Sequence, residues 1–234
     1  NHVLCGADMT SLEDTTKRHY MKPYDPEYVN EMSQHGFDPH LDLAKHAGEI
    51  TQKQIDQHNS GVIDLKALRK DYKVVNYSAT YGVGAAKLSR ETGMTRDKAQ
   101  DLLDAYWNRN WSVKEFSESQ PIRHIDGEMW IQNPVSKFWH SLRFEKDAFS
   151  TINQSTGSYC FDRWVALYRL NRPNIIGQFH DESINTVKEG YENEHTNVLK
   201  RAIKILNDQL KLNVDLGIDV QLSLIHISEP TRPY

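Results

Sequence analysis

The sequence predicts an α+β protein, an antiparallel sheet packed against helices with further helices inserted in long blocks between its strands. Three observations predict it. Short β-rich runs stand at Val3–Ala7 and again at 175–179 and 183–187, so strands distant in sequence must share a sheet. Long segments of helical periodicity separate them, which does not fit regular βαβ alternation. Only His180-Asp181-Glu182 joins the last two runs, a link short enough for a hairpin and therefore for antiparallel neighbours.

The opening run, Val3 to Asp8, reads as a buried strand ending at an acid, and Thr10-Ser11 as the cap of a helix running through Glu13 toward Met21. Pro23 and Pro26 break that helix. Leu41, Leu43, Ala44, Ala47 and Ile50 predict another before the polar turn His58 to Gly61, and residues 62–82 read as helical again. Behind Thr95, a good cap, Ala99, Leu102, Leu103 and Tyr106 recur at i, i+3, i+4, i+7, the apolar face of a packed helix. Asp126-Gly127 opens a strand-rich section. Met129 to Ile131 and Phe138-Trp139, separated by Asn133-Pro134, predict a hairpin, followed by a long helix from about Lys146 to Asn171. Arg172-Pro173-Asn174 ends it. The hairpin of 175–187 follows, then a helix over 192–212 and a strand over 214–220.

At 234 residues, 38% hydrophobic and 26% charged with 12 Gly and 8 Pro, the chain excludes collagen-like and largely disordered classes. No apolar run approaches the ~20 residues of a spanning helix, and the first residues lack the regions of a signal peptide. The expectation is a protein with no membrane partner, located in the cytoplasm. Cys5 and Cys160 carry no metal spacing and read as reduced structural thiols. The net charge of −4 argues against a nucleic-acid partner, but its distribution reverses that reading. Residues 1–60 hold five Lys/Arg against ten Asp/Glu, and residues 66–98 hold eight against three.

Two constellations could carry chemistry. Asp8 closes one strand and Asp181, beside Glu182, sits at a hairpin tip. On adjacent strands such acids would make an oxygen site suited to Mg²⁺ with substrate phosphates, although either alone is more often a turn or capping residue. The second constellation is Arg69, Lys73, Tyr77 and Tyr81, at intervals of four on one broad helical face, cations at one end and rings at the other. That face could hold a triphosphate on its cations and stack a sugar or base on its rings; a solvated basic face with two packed tyrosines is an equal alternative. Gly82 to Lys87 has the glycines of a phosphate loop without its preceding strand or its Gly-Lys-Ser/Thr ending.

Together, Asp8-Met9-Thr10-Ser11-Leu12-Glu13, Arg69-x-x-x-Lys73-x-x-Asn76-Tyr77-x-x-x-Tyr81-Gly82 and His180-Asp181-Glu182 resemble motifs A, B and C of family A DNA polymerases in order and spacing, over residues 3 to 221. The second motif is the specific one. The resemblance implies a polymerase palm sheet with an inserted fingers subdomain: palm over 1–39, fingers over 40–120 and palm again over 121–221, with thumb and exonuclease domain absent. Residues 222–234 read as a non-native tail.

The activity implied is template-directed transfer of a deoxynucleotide from a dNTP to a primer 3′-hydroxyl, with primer-template DNA and dNTPs as partners and two Mg²⁺ ions as cofactors. Asp8 and Asp181 would be the catalytic, metal-binding acids. Arg69 and Lys73 would grip the triphosphate, His40 would reach the phosphates, Tyr77 would pack on sugar and base, and Glu13 would close the space of a 2′-hydroxyl. Tyr81, Lys146, Gln154, His180 and Glu182 would meet template or primer. Tyr at position 77 is common in phage enzymes of this group. Asp14-Thr15 and Ser150 depart from the family pattern, and Lys146 stands where an Arg is usual. A single-subunit RNA polymerase shares the acids and a related basic helix but is opposed by Glu13 and Tyr77. An inactive fragment that only binds nucleotide or DNA is the alternative from another class.

Overall fold

The computed structural model describes residues 2–227. The chain divides into two compact units, one of Asn1–His19, Asn133–Phe138 and Asn153–Tyr234, the other of Tyr20–Gln132 and Trp139–Ile152. These bounds differ from the expected 1–39, 40–120 and 121–221: residues 20–39 and most of 121–152 cluster with the helical block. Ring packing explains part of this, because Tyr20 stacks on Phe116 at 4.3 Å and Phe116 meets Phe149 edge-on at 6.2 Å.

The first unit is built on a four-stranded antiparallel sheet ordered β5-β6-β1-β7, with β1 at His2–Met9, β5 at Asn174–Phe179, β6 at Glu182–Lys188 and β7 at Ile218–Ile227. Alternation decides its two faces. Val3, Cys5, Ala7 and Met9 point into a core shared with Trp164 and Tyr168 of α9 (Ala148–Arg169) and Leu199 and Leu206 of α10 (Glu192–Leu210). Leu4, Gly6 and Asp8 take the other face, Leu4 and Gly6 partly buried and Asp8 exposed. Both thiols are fully buried, and burial pushes Cys5 up to about 11 and Cys160 up to about 12, so they are inert packing groups.

The predicted strand over 214–220 starts later. Asn213 is tied to His19, its N–H to the ring Nδ1 at 3.0 Å and its Nδ2 to the carbonyl at 2.9 Å. Asn207 holds Leu216 through both backbone groups at 2.9 Å. Pairing with β1 therefore begins at Ile218 and its backbone continues through Ile227, into the segment read as a tail; residues 228–234 of that segment lie outside the described residues.

The second unit packs α2 (Pro26–Met32), α3 (Pro39–His46), α4 (Gln52–Asn59), α5 (Lys66–Thr80), α6 (Ala85–Thr92), α7 (Arg96–Arg109) and α8 (Trp111–Ser119). Its core includes Leu41, Leu43, Tyr72, Val75, Leu88 and Tyr106. A three-stranded antiparallel sheet of β2 (Ile122–Ile125), β3 (Glu128–Gln132) and β4 (Trp139–Leu142) belongs to it, and the predicted hairpin is the β3–β4 pair. Helix α2 departs from the expectation that Pro26 only breaks a helix. It is instead the first helical residue, where its missing N–H is no loss, and Asp25 caps the turn through the Tyr28 N–H at 3.1 Å. The loop-like glycines at 82–87 cap a helix too: Gly84 precedes α6, and Gly93, at φ 74°, ends it in the left-handed region.

Candidate functional site

Sheet register builds an acidic group in the first unit. Asp8, exposed near the end of β1, stands directly across from Glu182 on β6 and from Asp219 on β7. The Met9 N–H donates to the Asp181 carbonyl at 3.0 Å, which fixes the hairpin tip beside the end of β1. The two acids singled out in the sequence, 173 positions apart, are thus brought together, Asp8 near the end of β1 and Asp181 in the turn that leads into the neighbouring strand β6. Asp219 was missed, because strand alternation reveals its face but not the strand beside it. Loss of solvent raises the Asp8 carboxyl above its ordinary value, with Asp181, Glu182 and Asp219 adding to the rise and His180 opposing it.

His180 adopts φ 55°, the left-handed turn position of the β5–β6 hairpin. Its Nδ1 lies 3.5 Å from Asp181 Oδ1 and its Nε2 3.7 Å from Glu13 Oε1. Glu13 is in the first turn of α1 (Leu12–Met21), which Asn153 of α9 clamps. Asn153 Nδ2 donates to the Glu13 carbonyl at 2.9 Å and its Oδ1 accepts from Thr16 Oγ1 at 2.8 Å. Leu12, Glu13, Gln154, Gly157, Ser158 and His180 line one cleft of about 230 Å³. Three residues named from sequence, Glu13, Gln154 and His180, therefore converge, and Ser158 joins them unforeseen. A Cβ at Gly157 would meet Leu12 at 3.4 Å, an ordinary contact.

The helical unit carries a cationic and aromatic group of its own. Tyr72, Val75, Asn76 and Ala79 of α5 turn inward, leaving Lys73 and Tyr77 on the solvent side. Lys73 Nζ lies 5.7 Å from the Tyr77 ring centre, and Tyr77 stacks against Tyr81 at 6.4 Å and 14°. His40, in the first turn of α3, tilts against Tyr77 at 6.1 Å, and Asn76 Nδ2 reaches the Pro39 carbonyl at 3.3 Å. Arg69 pairs through Nε with Asp38 Oδ2, while Asp38 Oδ1 caps α3 at the N–H groups of His40 and Leu41. Burial works upward on Asp38, but Arg69 and the two amides together hold its carboxyl below the ordinary range. Lys146, far away in sequence, donates to the Gly82 carbonyl at 3.2 Å and so sits beside the end of the aromatic stripe.

The metal expectation can be tested on this donor set. Among the described residues no three or more His, Cys, Asp or Glu side chains converge as a closed metal cage would require. What is present is an open group of mutually repelling carboxylates around Asp8, which a cation would relieve. A hard divalent cation that keeps part of its water shell needs only one or two carboxylates from the protein, and an open donor set of this kind is compatible with one. Among the described residues no helix is long and apolar enough to cross a membrane.

The sequence model of DNA polymerase family A matches residues 7–129. The chain is similar to DNA polymerase I B, chloroplastic/mitochondrial, of Arabidopsis thaliana, 25% identical over 205 residues that cover 78% of this chain and 20% of that protein. Its fold is similar to the POL domain of Pol1 from M. smegmatis in complex with DNA primer-template and dNTP, with a TM-score of 0.73 and 19% identity over 94% of this chain and 39% of that one. The chain thus spans 20% of the length of the curated relative it matches.

Proposed function

The chain belongs to DNA polymerase family A, and from that premise we propose that it carries the metal-binding and nucleotide-binding parts of a DNA-directed DNA polymerase. The observation that carries the reading is the register of β1 with β6, which sets Asp8 opposite Glu182 and next to the Asp181 tip. In this reading Asp8 and Asp181 hold two Mg²⁺ ions. The bound cations would favour the ionised primer 3′-hydroxyl and neutralise charge on the triphosphate during in-line displacement of pyrophosphate.

The other residues bind and orient. Arg69 and Lys73 neutralise the triphosphate, and His40, already against Tyr77, adds a donor to it. Tyr77 offers its exposed ring to sugar and base, with Tyr81 stacked behind it. Glu13 occupies the volume that a ribose 2′-hydroxyl would need, which favours deoxynucleotides. Gln154 and His180, on the cleft beside Glu13, and Glu182 contact primer-template, as does Lys146 next to Gly82. The phage origin and host-cytoplasmic location expected from the sequence belong to the same reading, supported by Tyr at position 77.

Mutating the acids tests it. In a preparation that extends a primer, Asp8→Ala or Asp181→Ala lowers extension more than ~10³-fold, because each removes transition-state charge stabilisation. In this chain alone, Mn²⁺ binding is lost in the Asp8→Asn, Asp181→Asn double variant. Near-normal extension by either single variant overturns the assignment.

A further inference from the structure

A glycine inside a strand marks either a weakness or a close approach. At Gly6 of β1 it is a close approach. A Cβ built there would stand 2.9 Å from Glu182 Oε1, whereas the next atom, the Gln221 carbonyl oxygen, is at an ordinary 3.9 Å. Glu182 pairs with Asp8, and Gly6 pairs with Ile184, so the Glu182 side chain reaches diagonally along the sheet to lie over Gly6. Gly6 and Asp8 are two residues apart and share a face.

We propose that Gly6 is a positioning residue for Glu182: the missing side chain is the space in which the Glu182 carboxylate rests, holding its negative charge on the face that carries Asp8, where it adds to the attraction for a cation without being one of the two acids that hold it. This deepens the polymerase reading and rests on it. Every L side chain at position 6 brings a Cβ well inside the ~3.5 Å at which contacts to carbon become favourable, so the carboxylate must leave. The atom that yields is the far end of a flexible side chain, not backbone. Gly6→Ala therefore displaces a carboxylate without disturbing the strand, which separates position from stability.

The test is a cycle on this chain, read by the electron-spin-resonance signal of free Mn²⁺ and by thermal melting. Gly6→Ala is expected to weaken Mn²⁺ binding about three- to tenfold with a melting shift under about 2 °C. In a Glu182→Ala background the same change is expected to have no further effect. Pairing Gly6→Ala with Glu182→Asp, which draws the carboxylate back by ~1.5 Å, is expected to restore binding. Unchanged Mn²⁺ affinity in Gly6→Ala, an equal loss with and without the Glu182 carboxylate, or loss of the melting transition each overturns the proposal. Mn²⁺ binding by the unsubstituted chain that Asp8→Asn leaves untouched overturns the metal reading itself, and with it the positioning role.

Discussion

Asp38 and Arg69 form an ion pair that ties the start of α3 to α5, with one carboxylate oxygen on the guanidinium and the other capping the helix. Arg69 is thus already engaged by an anion where the proposed function assigns it a phosphate. Asn caps a helix as well as Asp, so Asp38→Asn keeps the cap and releases the cation. Partly exposed pairs are worth ~0.2–1 kcal/mol, so deoxynucleoside triphosphate titrated without divalent metal should bind up to ~5-fold more tightly. Weaker binding would mean that Asp38 orients Arg69 for its ligand instead of competing for it.

Tyr77→Phe keeps the ring contacts with His40, Tyr81 and Lys73 and deletes only the hydroxyl. Incorporation of ordinary deoxynucleotides should stay nearly intact, while discrimination against dideoxynucleotides should rise ~10–100-fold, the range of one hydrogen bond made or lost in a desolvated site. Competitive incorporation on one primer-template reads the ratio. An unchanged ratio would count against matching this helix with the second polymerase motif.

What was legible in the sequence was local. The alternation of Val3, Cys5 and Ala7 predicts β1, the three residues between the 175–179 and 183–187 runs predict the β5–β6 hairpin, and the four-residue spacing of Arg69, Lys73 and Tyr77 predicts their common face. Partners set by tertiary register were not legible. Asp219 reads as one acid in a polar strand until β7 is seen to pair with β1. Nothing near Asp38 indicates that its cation is 31 residues away. Pro26 illustrates a third limit, since the same residue breaks a helix or begins one, depending on the cap before it.

Asp42 is the buried anion of the helical unit. Its carboxylate accepts from Arg109 Nε at 3.1 Å, Lys45 Nζ at 3.0 Å and the Tyr28 hydroxyl at 3.1 Å. Arg109 keeps its pair with Glu31 at 2.7 Å and Lys45 reaches solvent, so Asp42→Ala removes charge-assisted hydrogen bonds without stranding a buried cation and should destabilise the unit by about 2 kcal/mol, measured by urea unfolding. Burial works upward on Asp42, but the hydrogen bonds from Arg109 and Lys45 prevail and hold it below its ordinary value. A depressed carboxyl contributes stability that is present above the unfolded value of ~3.9 and lost as pH falls below it. The Asp42→Ala penalty should therefore shrink in acid; a penalty independent of pH would assign it to packing alone.

His19 makes the opposite use of a proton. Its Nδ1 accepts the Asn213 N–H, which only a ring unprotonated at that nitrogen can do, and burial pushes the ring down to about 4. The unfolded ring titrates near ~6.5, so below that pH the unfolded chain takes up a proton that the folded one refuses. Stability from His19 is fully present above about pH 6.5, falls between there and about 4, and changes no further below. The slope cannot exceed ~1.4 kcal/mol per pH unit and is reduced by solvent screening at this partly open site. His46 and His195 are also lowered by burial and add to the same window, so the wild-type curve alone does not isolate His19. His19→Asn does, because an amide oxygen can accept the Asn213 N–H and does not titrate. Urea midpoints for the variant should decline less than those of the unsubstituted chain between pH 6.5 and 4, and parallel curves would show that proton uptake by His19 does not contribute to the loss of stability in this window.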